Sequence, residues 1–279
     1  YKRVVNSYGI SWFRSIYIYA LKNNQVRLKR QIKGRYTYPR FLQINDEILL
    51  FSRLQSSKGV RNGHLVYRSS TDGFEAEKLA IKSKEGTLVY ASAPKSSQDN
   101  SVYIQYSTHS YKENRLIGWS LIKLNPSDGK IVETCDLTDI FDKKYFSNRP
   151  TGISIKGSEF LIGTAYMTKK SWILPSGNFN RVNDILLVKG SLNEMCNSAK
   201  VVHKGAAKTP YYHTSVAISD SFDWLYFDND KYVSSSRYTG CFPKDGLMYP
   251  FFYKNELFYA SLNAPYSIRN FSNSIYRCY

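Results

Sequence analysis

Apolar and polar positions along this chain are arranged in short runs broken by polar turns. "DEILLFSR" (46–53) has a turn residue followed by an alternating apolar run, and similar eight-residue pieces stand at "RSIYIYAL" (14–21), "NSVYIQYS" (100–107), "SEFLIGTA" (158–165), "FDWLYFDN" (222–229) and "NELFYASL" (255–262). Their starts are 32, 54, 58, 64 and 33 residues apart. Most follow a second short apolar stretch, as in "TGISIKGS", "HTSVAISDS" and "MYPFFYKNE". Each pair reads as a β-hairpin with a tight polar turn. A hairpin recurring at this spacing predicts an all-β fold, a β-propeller of five to seven four-stranded blades, formed by residues 1–279 as a single domain. A small antiparallel sheet cannot bury both faces alone, and stacking blades around an axis covers them. An open β-sandwich leaves the recurrence unexplained. Helix is expected only as short connectors near "LTDIFDKKYF" (137–146) and at "NDEI" (45–48).

Composition agrees with strands. Aromatics make up 15% of the chain, including 24 Tyr, and such residues suit half-buried pleated surfaces. Charge adds a second constraint. The chain carries 39 Lys plus Arg against 22 Asp plus Glu, a net charge of +17. That excess is larger than solubility requires and concentrates anionic partners. The densest basic stretch, "RLKRQIKGR" (27–35), alternates with apolar residues and reads as a strand with one wet face, not as a basic block. Nucleic acid is therefore not expected, which leaves an anionic membrane surface or an acidic polysaccharide as the partner that the charge suits. No apolar run is long enough for a membrane span. The first residue, Tyr1, leaves any export signal outside the sequence, and a mature secreted or periplasmic product, acting as a monomer, is expected. Cys135, Cys196, Cys241 and Cys278 are far apart and lack zinc-ligand spacing. Free buried thiols are the first expectation, and one or two disulfides in an exported protein the alternative. No cofactor is required by the pattern, and a structural Ca²⁺ or Zn²⁺ stays open.

Two fragments add family information. "YRSSTDGFEAEKL" (67–79) and "NPSDGKIVET" (125–134) each place Asp-Gly after a strand. They look like degenerate Asp boxes, the turn between the outer two strands of a sialidase-type blade, with the usual Trp missing. Between about residues 35 and 130 the order is "YTYPRF", "ILLFSR", the loop "SSKGVRNGH", "LVYRSSTDG", "LVYASAPKSSQDNSVYIQYSTHS" and "NRLIGWSLIKLNPSDG". This third of the chain resembles the BNR-repeat propeller proteins that include ulvan-lyase-type polysaccharide lyases.

The resemblance implies β-elimination on a uronate-containing, sulfated or unsulfated polymer. That reaction needs a group to neutralise the uronate carboxylate, a base for the C5 proton and an acid for the leaving oxygen. His or Tyr suits the base near neutral pH, and Tyr or His suits the acid. His64 ends the Gly/Asn-rich loop, His109 follows a strand directly, and His213 opens a first-strand candidate beside Tyr212. These four are the catalytic candidates. The blander reading of each is a solvated loop residue. His203, in "VVHKGAA", reads as a blade-edge residue. Arg40, Arg53 and Arg115 are candidates to hold a carboxylate or sulfate bidentately, against a solvated reading. Asn62 and Asn114 are candidates to neutralise a carboxylate by hydrogen bonding. Tyr38 and Tyr249 stand near first-strand starts and are candidates to stack on sugar rings, although most tyrosines must be blade surface or core.

Two other functions compete. A glycoside hydrolase of sialidase-like or five-bladed type needs a pair of carboxylates, or a Tyr nucleophile with Glu and an Arg cluster. Here Asp46, Glu47, Asp72, Glu159 and Asp220 sit in apparent turns. A non-catalytic glycan-binding propeller needs only the basic aromatic face.

Overall fold

The structure is a computed structural model. It describes residues 2–277 outside 7–8, 14–15, 23–24, 33–35, 45–46, 55–62, 71–78, 83–86, 93, 111–112, 114, 126–129, 141–144, 169–180, 195, 210–215, 229–230, 236–247, 254 and 263–272, with side chains described mainly between Ser92 and Tyr259.

The described residues form antiparallel sheets made of strands consecutive in sequence. Sheet 1 is β1 (Lys2–Asn6) with β2 (Gly9–Phe13), and sheet 2 is β3 (Ile16–Lys22) with β4 (Gln25–Ile32). Sheet 3 runs β5 (Tyr36–Ile44), β6 (Glu47–Leu54), β7 (Gly63–Ser70), β8 (Leu79–Lys82). In sheet 4, β9 (Thr87–Ala91) and β10 (Lys95–Ser96) both pair with β11 (Val102–Ser110), followed by β12 (Arg115–Leu124) and β13 (Ile131–Asp136). Sheet 5 is β14 (Tyr145–Lys156), β15 (Glu159–Thr168), β16 (Arg181–Ser191), β17 (Lys200–Thr209). Sheet 6 is β18 (Ala217–Ile218), β19 (Trp224–Asp228), β20 (Lys231–Ser234), and sheet 7 is β21 (Met248–Tyr253), β22 (Glu256–Leu262), β23 (Asn273–Arg277). The runs recognised in the sequence are the second strands of sheets 3 to 7 and the first strand of sheet 2. The two Asp-box-like fragments link β7 to β8 and β12 to β13, the outer strands of their sheets, and their Asp-Gly steps lie outside the described residues. Of the expected connectors, 137–146 supplies one turn of 3₁₀ helix at Thr138–Ile140. Glu47 and Ile48 of "NDEI" instead open β6, where cross-strand pairing with Ile44 and Gln43 wins.

Tight turns explain the hairpins. Asn255 and Gly157 take φ of 62° and 59° in the β21–β22 and β14–β15 turns, and Asn100 takes 61° before β11. Asn and Gly tolerate this left-handed region best. Phe222, at 70°, is the costly exception, and its amide donates to Ser219 O.

The core is a stack of sheets. Sheets 4 and 5 bury Tyr103, Leu116, Trp119 and Leu121 against Phe160, Ile162, Tyr166, Leu186 and Val188. Sheet 5 turns its other face, Leu161, Ala165, Ile185 and Leu187, to Val216 and Tyr226 of sheet 6. Sheet 6 then covers Leu257 and Tyr259 of sheet 7 with Ala217 and Leu225. The inner strands of sheet 5, β15 and β16, are therefore covered on both faces, while Val202 on the β17 edge is exposed. From Phe160 to Tyr166 β15 is buried without interruption, where alternation alone leads one to expect a half-exposed strand. At the margin, β13 exposes Ile131 through Thr134. Along the other edge of the stack the first strands lie side by side in chain order: β5 near β10, β9 and β10 near β14, β14 near β18, and β18 near β21.

Close approach of the sheets depends on two glycines. A Cβ on Gly152 would lie 2.9 Å from Val216 O, and one on Gly163 would lie 3.1 Å from Val216 Cβ. Gln105 grips both positions from the opposite side. Its Nε2 donates to Gly152 O at 2.5 Å and Gly163 O at 2.9 Å, and its Oε1 accepts from Trp119 Nε1 at 3.2 Å. The amide is 0% exposed, so these bonds replace water that cannot reach it.

Sheets 4 and 5 are also joined covalently. Cys135 on β13 forms a disulfide with Cys196 in the β16–β17 connection. This corrects the first expectation of free thiols for that pair. Proximity of the two residues arises from sheet stacking, which spacing in the chain does not reveal. Cys241 and Cys278 lie outside the described residues.

Candidate functional site

Each first strand begins at one end of its sheet, called here the leading end. The second strand finishes there and the third starts there. Leu54 and Gly63, Ser110 and Arg115, Thr168 and Arg181, and Leu262 and Asn273, the last and first residues of second and third strands, lie at this end in sheets 3, 4, 5 and 7. The opposite end carries the turn residues Gly157, Ser158 and Asn255. Rigid strands ending in longer loops are the usual setting for binding residues.

The candidates with a described backbone all map to leading ends. Tyr38 and Arg40 are near the start of β5, at a register shift between Thr37 and Arg40. Arg53 pairs with Thr37 on one side and with His64 on the other. Tyr249 is the second residue of β21, in register with Ala260. His109 and Arg115 stand at the β11 and β12 ends. Asn62, Asn114, Tyr212 and His213 lie outside the described residues.

Side chains are described for two of these. His109 is 6% exposed. It pairs with Leu116 beside a register shift at Thr108/His109. Cross-strand partners share a face, so His109 lies with Leu116 and Trp119 on the side turned to sheet 5. Arg115 pairs with Ser110 and faces the other way. Its side chain is 52% exposed and its Nε donates to Glu113 Oε2 at 2.5 Å. The two candidates are neighbours in the strand pair but occupy opposite faces, so they do not meet on one ligand.

Other charges and rings show how the described surface is organised. Lys95 Nζ pairs with Asp220 Oδ1 at 2.8 Å, Lys189 with Glu159 Oε1 at 2.7 Å, and Lys123 with Asp99 Oδ2 at 3.8 Å. Hydrogen bonds from Ser97 and Ser101, with Lys123 nearby, bring the Asp99 carboxyl down to about 2. His203 sits on the β17 edge, as its sequence context suggested, yet its ring packs inward onto sheet 6. Its centroid is 4.3 Å from that of Trp224, and Nε2 is in a 3.2 Å hydrogen bond with Tyr226 Oη. Burial holds this imidazole below its ordinary value. Burial likewise raises Tyr226, and pushes Tyr232 up to about 12. Among the described residues no group of three His, Cys, Asp or Glu could hold a metal ion. Gln105 was missed in the sequence. The available signal was one amide inside the apolar run "NSVYIQYS", a polar residue where a core position is due.

No family model matches the sequence, and no curated protein sequence matches it. Solved structures do. An ulvan lyase of polysaccharide lyase family PL25, bound to -[GlcA(1-4)Rha3S]-, has a TM-score of 0.55 at 11% identity, over 92% of this chain and 68% of that one. The same figures hold for that enzyme without the saccharide. The complex of KlAtg21 with the coiled coil of AgAtg16 has a TM-score of 0.50 at 10% identity, over 94% and 77%. These likenesses define a fold: an all-β chain of consecutive antiparallel sheets, shared with an ulvan lyase and with the KlAtg21 complex.

Proposed function

We propose that the chain is a single β-propeller that cleaves a uronate-containing polysaccharide by β-elimination. The observation that carries this reading is an ulvan-lyase fold on a chain of net charge +17. A positive surface neutralises an acidic polymer and lowers the cost of forming an enolate-like carboxylate at the cleaved sugar. The base removes the C5 proton, the C5–H electron pair becomes the C4–C5 double bond, the C4–O bond breaks, and the acid returns a proton to the leaving oxygen. His109 is the base or acid candidate with a described side chain. Arg40 and Arg53 stand at the leading end of sheet 3 and suit the carboxylate or sulfate, and His64, in register with Arg53, is a further base or acid candidate. The Cys135–Cys196 disulfide supports a secreted or periplasmic location, because such bonds persist in oxidising compartments.

The test is incubation with ulvan and a panel of other uronate polymers while following the ultraviolet absorbance of the unsaturated uronate. Growth of that absorbance, lost in His64→Ala or His109→Ala, supports the reading. Its absence across the panel overturns it.

A second reading is a non-catalytic binding propeller. It is favoured by the placement of His109 toward sheet 5 and by the engagement of Arg115 with Glu113. Retention of the protein on an acidic polysaccharide without any product distinguishes it.

A further inference from the structure

We propose that Gln105 is a positioning residue, which fixes β11 against sheet 5 and so sets the place of His109 at the leading end. This rests on the lyase reading of that end. Gln105 and His109 are on one face of β11, four residues apart, a span of about 13 Å along a strand. The Gln105 amide uses both ends: Nε2 on Gly152 O and Gly163 O, Oε1 on Trp119 Nε1. Its two acceptors belong to β14 and β15, so one side chain sets the offset of β11 against two strands of the next sheet. Those strands cannot shift away, because Val216 and Ile218 of sheet 6 close on the same two glycines from behind.

A line of contacts carries that offset toward His109. Trp119 accepts its placement from Gln105, is in register with Ser107, and sets its ring 5.9 Å from Tyr166 at 87°. Leu116, the register partner of His109, belongs to the same buried cluster as Trp119 and Tyr166. Trp119, which Gln105 holds, thus belongs to the same buried cluster as the register partner of His109. A role in stability alone also accounts for a satisfied buried amide, so the test must read His109 itself.

Gln105→Met keeps length and apolar bulk but leaves Gly152 O, Gly163 O and Trp119 Nε1 without the amide. Trp119→Phe is a milder variant that keeps a ring and removes one donor. With ulvan oligosaccharides of the repeat -[GlcA(1-4)Rha3S]-, kcat is expected to fall roughly tenfold or more in Gln105→Met with KM within about twofold, as for a displaced reacting group. Trp119→Phe is expected to follow in the same direction by less. In both, the imidazole nitrogen resonances of His109 move while those of His203 stay. A folded variant with wild-type kcat and unchanged His109 resonances overturns the proposal. If Gln105→Met does not fold, the same two readouts on Trp119→Phe decide between the outcomes. If the wild-type protein makes no unsaturated product, the lyase reading has failed separately, and the His109 resonances alone decide the positioning.

Discussion

Replacing Cys135 by Ala and Cys196 by Ser removes a crosslink between sheets 4 and 5 whose ends are 61 residues apart. In the chain-entropy account, a closed loop of that length restricts the unfolded ensemble by about 4 kcal/mol. Cys135 is 0% exposed, so the Ala variant also loses a buried sulfur, adding roughly 1 kcal/mol. A chain of this size shifts by about 2–4 °C per kcal/mol, which puts the expected fall in Tm at roughly 10–20 °C. The double variant is preferable to a reductant, because it changes this crosslink and no other cysteine. The assay is thermal unfolding by circular dichroism, with the wild-type crosslink checked by peptide mapping without reduction. A fall in Tm below about 3 °C, or a wild-type map with Cys135 alkylated after unfolding, would refute the reasoning.

Further outcomes follow from the same geometry. Gly205→Ala places a methyl group on the Tyr226 hydroxyl and 2.9 Å from His203 Nε2, so it should destabilise by about 1–3 kcal/mol in urea titrations, and Tyr226→Phe in the same chain should recover part of that loss. His203 is held neutral by burial, so the unfolded chain takes up its proton first. The stability it contributes is full above the ordinary histidine value near 6.5 and is lost as pH falls from there toward the lowered folded value. His203→Phe should flatten the Tm profile in that window, and an unchanged profile would refute the assignment. Asp99 has the carboxylate sign. Its contribution is full above about 4, is lost as pH falls toward about 2, and disappears from acid unfolding curves in Asp99→Asn. Glu113→Gln should free Arg115 and tighten binding of a sulfated glycan at low salt, whereas Arg115→Ala alone changes binding by less than about threefold, since an exposed pair contributes little. Loss of binding in Arg115→Ala would contradict this.

The hairpins were legible because a tight turn and its flanking strands lie within one short window. "SEFLIGTA" and "NELFYASL" announce β15 and β22, with Gly157 and Asn255 marking the turns before them. The leading-end positions of Arg40, Arg53, His64 and His109 were legible for the same reason: a residue at a strand boundary is placed by local pattern. What lies between sheets was not. The pairing of Cys135 with Cys196, the grip of Gln105 on two glycine carbonyls and the inward turn of His203 all depend on which sheet stacks on which. The opposite facing of His109 and Arg115 was also hidden, because it depends on the cross-strand register, which skips Ile117 between Thr108–Gly118 and His109–Leu116. Alternation suggested half-wet strands, and the covering of both faces of β15 instead keeps Phe160 to Tyr166 buried and uncharged.

The pair Lys95–Asp220 joins β10 of sheet 4 to the turn between β18 and β19 of sheet 6, reaching past sheet 5 altogether. An exposed ion pair adds little to the depth of the native well. Its position matters more for how the molecule comes apart. The inner strands of sheet 5 are enclosed on both faces, and the sheet is crosslinked to sheet 4 and bracketed at one end by its two neighbours, so it cannot peel away while they stay in place. Amide hydrogens of β15 and β16 should therefore exchange only through openings that also release β11 and β19, and these sheets should behave as one cooperative block in hydrogen exchange.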